Sequence, residues 1–166
     1  MRFPCQSHPL GARLEHDYYN GFAAMPSGSV VWTPNDHQTL WGSISRAVQT
    51  PSALDASVRF NIDVASGPGG IPTVLSLFGN PQILNENLLA YQTGYRTTVS
   101  DRLSVDVAAY YNSYTDLHTE EPVTPFLEGS PSPTHLVEPY TYENMMFGEM
   151  QGLKFSPIGR HRPGGR

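Results

Sequence analysis

Hydrophobic and polar residues alternate strictly along residues 103–112 of this chain. Val105 and Val107 fall on one side of an extended backbone, and Asp106 falls on the other. Because side chains alternate across a strand, the pattern predicts a β-strand with one apolar face and one mostly polar face. The pattern extends to about residue 117. That exceeds the roughly 5–6 residues of a typical soluble strand and reaches the about 9–11 residues of a strand that crosses a bilayer.

Five further stretches alternate in the same way, so the chain is predicted to form an antiparallel up-and-down meander of about six long strands. The other five are residues 10–16, 23–33, 38–47, 86–96 and 140–156. Two shorter stretches, 58–64 and 73–78, flank the segment S-G-P-G-G-I-P and predict a hairpin inside a loop.

Short and long connections alternate along this meander. Residues 33–37 and 97–102 are predicted tight turns, whereas residues 48–85 and 118–139 are long. Every second connection of a meander lies at the same end, so both tight turns share one end and both long loops share the other. Outer-membrane barrels have short periplasmic turns and long extracellular loops. The predicted fold is therefore all-β, as part of a larger transmembrane β-barrel, with a soluble β-sandwich of uneven loops as the alternative.

Aromatic residues lie near both predicted ends of the strands, as the two aromatic girdles of a membrane barrel would. Those next to the tight turns are Trp32, Trp41 and Tyr95, and those near the opposite ends are Tyr18, Tyr19, Tyr111 and Tyr114. Aromatic residues also favour strands in general, so their position is what favours the girdle interpretation.

Composition narrows the possible classes of protein. Hydrophobic residues make up 39% of the chain, and no segment approaches the roughly 20 apolar residues of a membrane helix. The net charge of −5 argues against binding of nucleic acid. Cys5 is the only cysteine, so neither an internal disulfide nor a CxxC metal site can form. The first residues lack the apolar core of a secretory signal, so either the true start lies upstream of Met1 or the chain is not an exported barrel.

No catalytic, cofactor-binding or metal-binding site is predicted, and the individual ligand-binding residues are unknown. The chain contains no HExxH, GxxxxGK or GxSxG motif. The glycine-rich segment 67–70 is predicted to be a turn, and the adjacent acidic pair in the second long loop is predicted to be solvated. The six histidines are scattered singly. Four loop residues could still contact a metal chelate: His118, His135, Glu120 and Glu121.

Polar residues on the strands are predicted to face the lumen of the barrel. These residues are Arg13, Arg46, Gln92, Arg96 and Asp106. Charges are tolerated in a wet lumen, where they can be solvated, pair with one another or contact an internal plug.

Four segments resemble, in order and spacing, the barrel of a TonB-dependent outer-membrane receptor. They are L-G-A-R-L-E-H-D-Y-Y-N-G-F at 10–22, W-T-P-N-D-H-Q-T-L-W-G-S-I-S-R-A-V-Q-T-P-S at 32–52, G-N-P-Q-I-L-N-E-N-L-L-A-Y-Q-T-G-Y-R at 79–96 and D-R-L-S-V-D-V-A-A-Y-Y-N-S-Y-T-D-L at 101–117. The patterns S-R-A-V-x-T-P-S and G-N-P-x-x-x-x-E-x-L-L-A-Y-x-x-G-Y-R are fairly specific in combination. The resemblance covers about residues 10–156.

This resemblance implies a barrel of about 22 strands around a plug domain in the outer membrane of a Gram-negative bacterium. It implies uptake of iron–siderophore complexes, cobalamin or a similar scarce nutrient, with energy from the TonB complex. Six strands cannot close a barrel, which takes at least about eight, so the chain is expected to be a fragment that is not functional alone. Residues 1–9 are predicted to be an atypical N-terminal segment, 10–156 the partial barrel and 157–166 a basic, unstructured tail.

The expected partners are outer-membrane lipid, the plug domain, the remaining barrel strands, the TonB complex and a small nutrient ligand. Residues 48–85 and 118–139 are expected to be extracellular and to contact that ligand. No enzyme activity and no cofactor are expected. Two alternatives stay open: a soluble secreted β-sandwich that binds carbohydrate or acts as a lectin, and an enzyme in which Asp116, Glu120 and Glu121 converge in a pocket.

Overall fold

The computed structural model describes residues 5–100 and 102–159 and consists almost entirely of β-strands. In chain order the strands are β1 (Cys5–Ser7), β2 (Leu10–Asp17), β3 (Gly21–Asn35), β4 (Gln38–Gln49), β5 (Arg59–Ser66), β6 (Pro72–Phe78), β7 (Glu86–Ser100), β8 (Leu103–Pro122), β9 (Phe126–Glu128) and β10 (His135–Gly159). A short helix, α1 (Ala53–Ser57), precedes β5, and a 3-10 turn (Pro68–Gly70) joins β5 to β6. No helix in the described ranges is long and apolar enough to cross a membrane.

The long strands form one antiparallel wall. β1 and β2 lie one after the other along one edge of β3, with Gln6 opposite Trp32 and Leu14 opposite Ala24. β4, β7, β8 and β10 follow in that order, each antiparallel to its neighbour. The prediction of an all-β meander of about six long strands is confirmed, and the wall is open rather than closed within the described residues.

The last two strands of the wall are longer than the sequence pattern indicated. β8 runs for 20 residues to Pro122, and β10 runs for 25 residues from His135. Much of the loop predicted at 118–139 is therefore strand, and that boundary was wrong. The two strands stay paired in this region, where Tyr142 lies opposite Glu120. Prolines and acidic residues suggested a loop here, but backbone pairing with β8, β9 and β6 and the burial of Val137 hold this arm together.

The two predicted terminal segments also contain strand. β10 continues to Gly159, so residues 157–159 of the predicted tail are paired with β8, and residues 160–166 lie outside the described residues. Within the predicted N-terminal segment 1–9, Cys5–Ser7 pair with β3, and residues 1–4 lie outside the described residues.

Register assigns the side chains of the wall to two faces, because directly paired residues share a face of the sheet. One face, the polar face, carries rows such as Ser43, Gln92, Tyr110 and Gly152. The other, the apolar face, carries rows such as Leu40, Tyr95, Val107 and Phe155. Large side chains of the apolar face are exposed, and no second sheet covers them among the described residues.

One predicted side-chain orientation was wrong, and two residues of the predicted aromatic girdles lie on the polar face. Arg46 lies opposite Leu89 on the apolar face rather than on the lumen side, because it is an even number of residues from Leu40. Trp41 lies on the polar face opposite Gly94. A Cβ atom at position 94 would lie only 2.4 Å from the indole ring, so only glycine leaves room for the ring there. Tyr114 also lies on the polar face. The outward aromatic positions on the wall include Phe22, Trp32, Tyr91, Tyr95, Tyr111 and Phe155.

The hairpin predicted within residues 48–85 is confirmed as β5 and β6. Gly69 and Gly70 in its turn have φ values of +69° and +78°, which glycine adopts without steric strain. The attachment of this hairpin was not predicted. Residues 73–78 of β6 pair in parallel with residues 136–141 of β10, so the hairpin extends the sheet beyond the wall.

The group formed by α1, β5, β6, residues 79–85 and β9 lies at the long-loop end of the wall and is called here the loop layer. The most buried side chains belong to this group and to the neighbouring part of β10. The largest of them are Ile83, Val137 and Ser76, and the smaller Ala56 of α1 is equally buried. Residues 79–85 return from β6 to β7 and are held to β10 by two asparagines. Asn80 Nδ2 donates to the Tyr142 carbonyl oxygen at 2.9 Å. The Asn144 side chain accepts from the Leu84 N–H at 2.7 Å and donates to the Leu84 carbonyl oxygen at 3.2 Å. The long connections therefore have a packed core of their own.

Candidate ligand-contact site

An open cavity of about 630 Å³ lies between the β5–β6 hairpin and the segment that joins β9 to β10. Its lining includes Arg59, Asn61, Val74, Glu128, Pro133 and His135. The first three come from the range 48–85 and the last three from the range 118–139. Both ranges that were expected to contact a ligand therefore contribute to one cavity.

A charged pair joins the two sides of this cavity. Arg59 Nη1 donates to Glu128 Oε1 at 2.9 Å, and Nη2 donates to Oε2 at 2.6 Å. Such a two-point contact fixes the orientation of the guanidinium relative to the carboxylate as well as the distance between them. The Arg59 guanidinium also lies over the Phe78 ring, 5.0 Å from its centroid. The hydrogen bonds from Arg59 lower the pKa of Glu128 to about 2, and the bond from Glu128 raises the pKa of Arg59.

His135 extends this pair into a cluster of three side chains. It is buried, with Nε2 at 3.2 Å from Glu128 Oε2 and Nδ1 at 2.9 Å from the Pro133 carbonyl oxygen. Both partners can only accept hydrogen bonds, so both contacts are hydrogen bonds only when the imidazole is protonated on both nitrogens. One carboxylate then lies between two cations.

The cavity combines hydrogen-bond donors with apolar walls. A guanidinium has five N–H donors, and Glu128 takes two of those of Arg59. Asn61 accepts from the Ser76 hydroxyl at 2.9 Å through its carbonyl oxygen, which leaves its amide N–H groups as donors. Val64 and Val74 line the cavity beside them. This arrangement suits a ligand that has anionic or carbonyl oxygens on an apolar body.

The other residues predicted to touch a metal chelate do not join this cluster. The His118 backbone N–H donates to Glu86 Oε1 at 2.8 Å, and its ring Nε2 lies 3.3 Å from the Leu84 carbonyl oxygen. Glu120 and Glu121 are consecutive residues of β8, so their side chains point to opposite faces. In the ranges that the structure describes, no group of three or more His, Cys, Asp or Glu residues could hold a metal ion.

The remaining polar residues predicted for the lumen do lie on the polar face. Arg96 Nε donates to Asp106 Oδ2 at 2.9 Å, and the two form an ion pair on neighbouring strands. Gln92 lies four residues before Arg96 on the same face. Arg13 also lies on this face and pairs with Glu15.

Sequence reasoning missed Arg59 and Glu128. They lie 69 positions apart, and neither belongs to a motif. The sequence indicated only that each residue falls within a long connection, and that both long connections lie at the same end of the meander.

Asp116, which the enzyme alternative required, is occupied elsewhere. Its Oδ2 accepts hydrogen bonds from Asn87 Nδ2 at 3.0 Å and from the Thr115 hydroxyl at 3.1 Å. No hydrogen bond among the described residues joins Asp116 to Glu120 or Glu121. Because Glu120 and Glu121 face opposite sides of β8, the three carboxylates do not converge as this alternative demanded.

Comparisons with known proteins agree with the architecture. Residues 9–155 match the family described as "TonB dependent receptor-like, beta-barrel". No curated protein matches the chain significantly. The fold is similar to that of the siderophore receptor PirA from Acinetobacter baumannii, with a TM-score of 0.74 and 18% identity over 92% of this chain and 23% of that chain.

Two further solved structures show the same fold. A mutant of the ferric enterobactin receptor PfeA from Pseudomonas aeruginosa, in complex with enterobactin, gives a TM-score of 0.72 and 20% identity over 90% of this chain and 22% of that one. A double mutant of the Serratia marcescens hemophore receptor HasR, in complex with its hemophore HasA and heme, gives a TM-score of 0.56 and 14% identity over 93% and 27%.

The chain spans about a quarter or less of the length of the first two of these solved receptors. The family consists of transport receptors of the Gram-negative outer membrane. A family match over residues 9–155, together with an open wall that has one polar and one apolar face, confirms the resemblance found in the sequence. The chain belongs to the TonB-dependent receptor β-barrel family.

Proposed function

We propose that this chain is a section of the barrel wall of a receptor in a Gram-negative outer membrane. In this role it contributes to TonB-coupled uptake of an iron–siderophore complex, cobalamin or a similar scarce nutrient. The observation that carries the proposal is the wall itself, because its exposed apolar face and its polar face require lipid on one side and water on the other.

The loop layer is proposed as the part that meets the nutrient. It lies at the end of the wall where the long connections leave, which is the extracellular end in barrels of this kind. Its cavity brings the donors of Arg59 and Asn61 next to Val74. An anionic chelate with an apolar periphery fits this chemistry, which agrees with the ligands named for the siderophore and enterobactin receptors of similar fold.

The polar face is proposed as the lumen side, which contacts the plug domain and the remaining strands of a closed barrel. Arg96 and Asp106 form an ion pair there and neutralise each other. Lys154, opposite Ala108 on the same face, forms no ion pair with any described residue. TonB acts on the complete receptor, as it does throughout the family.

Partitioning of the 166-residue chain tests the membrane role. We expect precipitation in buffer and a strand signal by circular dichroism only in detergent micelles, since the apolar face has no cover. A soluble, cooperatively melting β-rich monomer in buffer would instead support the β-sandwich alternative, and no described contact favours that alternative.

Titration with ferric enterobactin tests the ligand role, with the chain held in dodecyl maltoside micelles. Arg59→Gln removes a charged donor from the cavity, so we expect binding to weaken roughly tenfold. Arg13→Gln removes the same charge from the wall and serves as the matched control, for which no loss is expected. Equal affinity in both variants would exclude Arg59 from the contact.

A further inference from the structure

The apolar face changes character at one row of residues near the long-loop end. That row consists of Arg46, Leu89, Ser113 and Glu149, which are direct partners across β4, β7, β8 and β10. The next three rows toward the tight turns carry no charged side chain on this face: Ile44, Tyr91, Tyr111 and Gln151; Gly42, Thr93, Ala109 and Leu153; Leu40, Tyr95, Val107 and Phe155. Arg46 therefore marks the outer boundary of the uncharged band.

The Arg46 guanidinium is held in place across three strands. It donates to the Ala24 carbonyl oxygen of β3 at 3.3 Å and to Asn87 Oδ1 of β7 at 2.6 Å. Asn87 is itself fixed, because its Nδ2 donates to the Asn85 carbonyl oxygen at 3.1 Å and to Asp116 Oδ2 at 3.0 Å. The guanidinium is therefore oriented before any ligand arrives, which lowers the entropy cost of binding.

Arg46 differs from the other arginines of the wall and loop layer in its partners. Arg13, Arg59 and Arg96 each form an ion pair with a carboxylate. Arg46 binds only neutral oxygens, and no carboxylate among the described residues forms an ion pair with it. It is exposed, and three of its five N–H donors have no partner in the described chain.

The acidic groups nearby have partners of their own. The Asp116 carboxylate lies behind Asn87 and accepts from it. Glu149 is separated from Arg46 by two strands and accepts from the Tyr111 hydroxyl at 2.7 Å. The positive charge of Arg46 is therefore presented outward, at the edge of the uncharged band.

We propose that Arg46 binds the phosphate group of a lipid headgroup in the outer leaflet of the membrane. This inference rests on the proposed position of the wall in an outer membrane. A guanidinium at the boundary between hydrocarbon and headgroups extends toward the polar side, and its planar fork matches a phosphate in two-point geometry. Asn87 and Ala24 fix the side chain, so they act as positioning groups for this contact.

Lipid binding to the 166-residue chain tests the inference in dodecyl maltoside micelles, which contain no phosphate. Native mass spectrometry would count bound lipid A and, separately, bound dephosphorylated lipid A. We expect the unmodified chain to prefer lipid A, and Arg46→Gln to weaken its binding roughly tenfold. Arg46→Lys keeps the charge without the fork and should lie between the two.

Arg13→Gln is the matched control, since it removes the same charge at a similar height on the opposite face, and it should bind lipid A normally. Equal lipid A binding by Arg46→Gln and Arg13→Gln would overturn the inference while leaving the membrane position intact. Displacement of lipid A by inorganic phosphate alone would also overturn it, because the site would then recognise free anions. Failure of every variant to enter micelles would contradict both proposals.

Discussion

At the scale of single residues, the cavity depends on one carboxylate, that of Glu128, which lies between Arg59 and His135. Glu128 accepts two hydrogen bonds from Arg59 and one from His135 when the imidazole is protonated. Protonation would remove the negative charge that both partners stabilise, so the pKa of the Glu128 carboxyl group is lowered. The contact between the two long connections is therefore maintained into acidic solution.

The titration of Glu128 follows from its lowered pKa. Its folded value of about 2 lies below the ordinary value of 4.5. A lowered pKa contributes stability that is present above about pH 4.5 and is lost as the pH falls through about 2. A ¹³C NMR titration of the Glu128 carboxyl group in micelles should therefore give a midpoint near 2.

Two variants give this titration a reference. Arg59→Gln should raise the midpoint toward 4.5, since the largest cause of the shift is removed. Arg96→Gln, which breaks an ion pair in the wall, should leave the Glu128 midpoint unchanged. An ordinary midpoint in the unmodified chain would mean that the pair with Arg59 does not persist in solution.

At the scale of elements, the segment 79–85 is held on the wall by side-chain hydrogen bonds rather than by a strand ladder. Asn144 takes the place of a paired strand, because it both accepts from and donates to the Leu84 backbone. The same amide donates to the Asp116 carbonyl oxygen at 2.7 Å, where β8 adopts a positive φ of +59°. One asparagine therefore joins the return segment to the irregular part of β8 and β10.

Removal of this amide should loosen the segment locally. Asn144→Ala removes three hydrogen bonds to backbone groups and leaves the Leu84 N–H and the Asp116 carbonyl oxygen without this partner, which should cost about 1–3 kcal/mol. Hydrogen exchange in residues 79–85 should become faster. Asn112→Ala is the matched control, since the buried Asn112 side-chain oxygen has no partner among the described residues. Equal exchange in the two variants would contradict the role assigned to Asn144.

The same element shows what the sequence could and could not predict. The wall strands were predictable because an alternation with period two is local and is repeated six times. The parallel pairing of β6 with β10 has no local signature, since it joins residues 73–78 to residues 136–141. Arg46 was assigned to the wrong face because its charge outweighed its position in the alternation, although its spacing from Leu40 already indicated the apolar side.

At the scale of the whole molecule, the wall has two faces of different polarity, which in the proposed membrane role meet lipid and water. Adjacent residues of a strand face opposite sides, and the pair Ala108 and Ala109 demonstrates this at mid-height. Ala108 lies opposite Gly94 on the polar face, and Ala109 lies opposite Thr93 on the apolar face. The same substitution at these two positions should therefore have different consequences.

Insertion into phosphatidylcholine vesicles should distinguish the two positions. Ala109→Arg places a charge in the hydrocarbon, which should cost about 2–4 kcal/mol if the residue lies near the bilayer midplane. Ala108→Arg places the same charge in water and should insert almost as the unmodified chain does. The two-faced wall would be refuted by equal insertion, measured as the fraction of chain that floats with the vesicles.

The attachment of the hairpin to β10 also limits how a neighbouring strand can join the wall. Along residues 136–141, the edge of β10 away from the wall is occupied by β6. A strand that closes a barrel at this seam can form its ladder only along residues 142–159, below that level. In a closed barrel the hairpin would therefore limit how far along β10 a neighbouring strand can pair, and a longer neighbouring strand would have to bend away from β10 above residue 142.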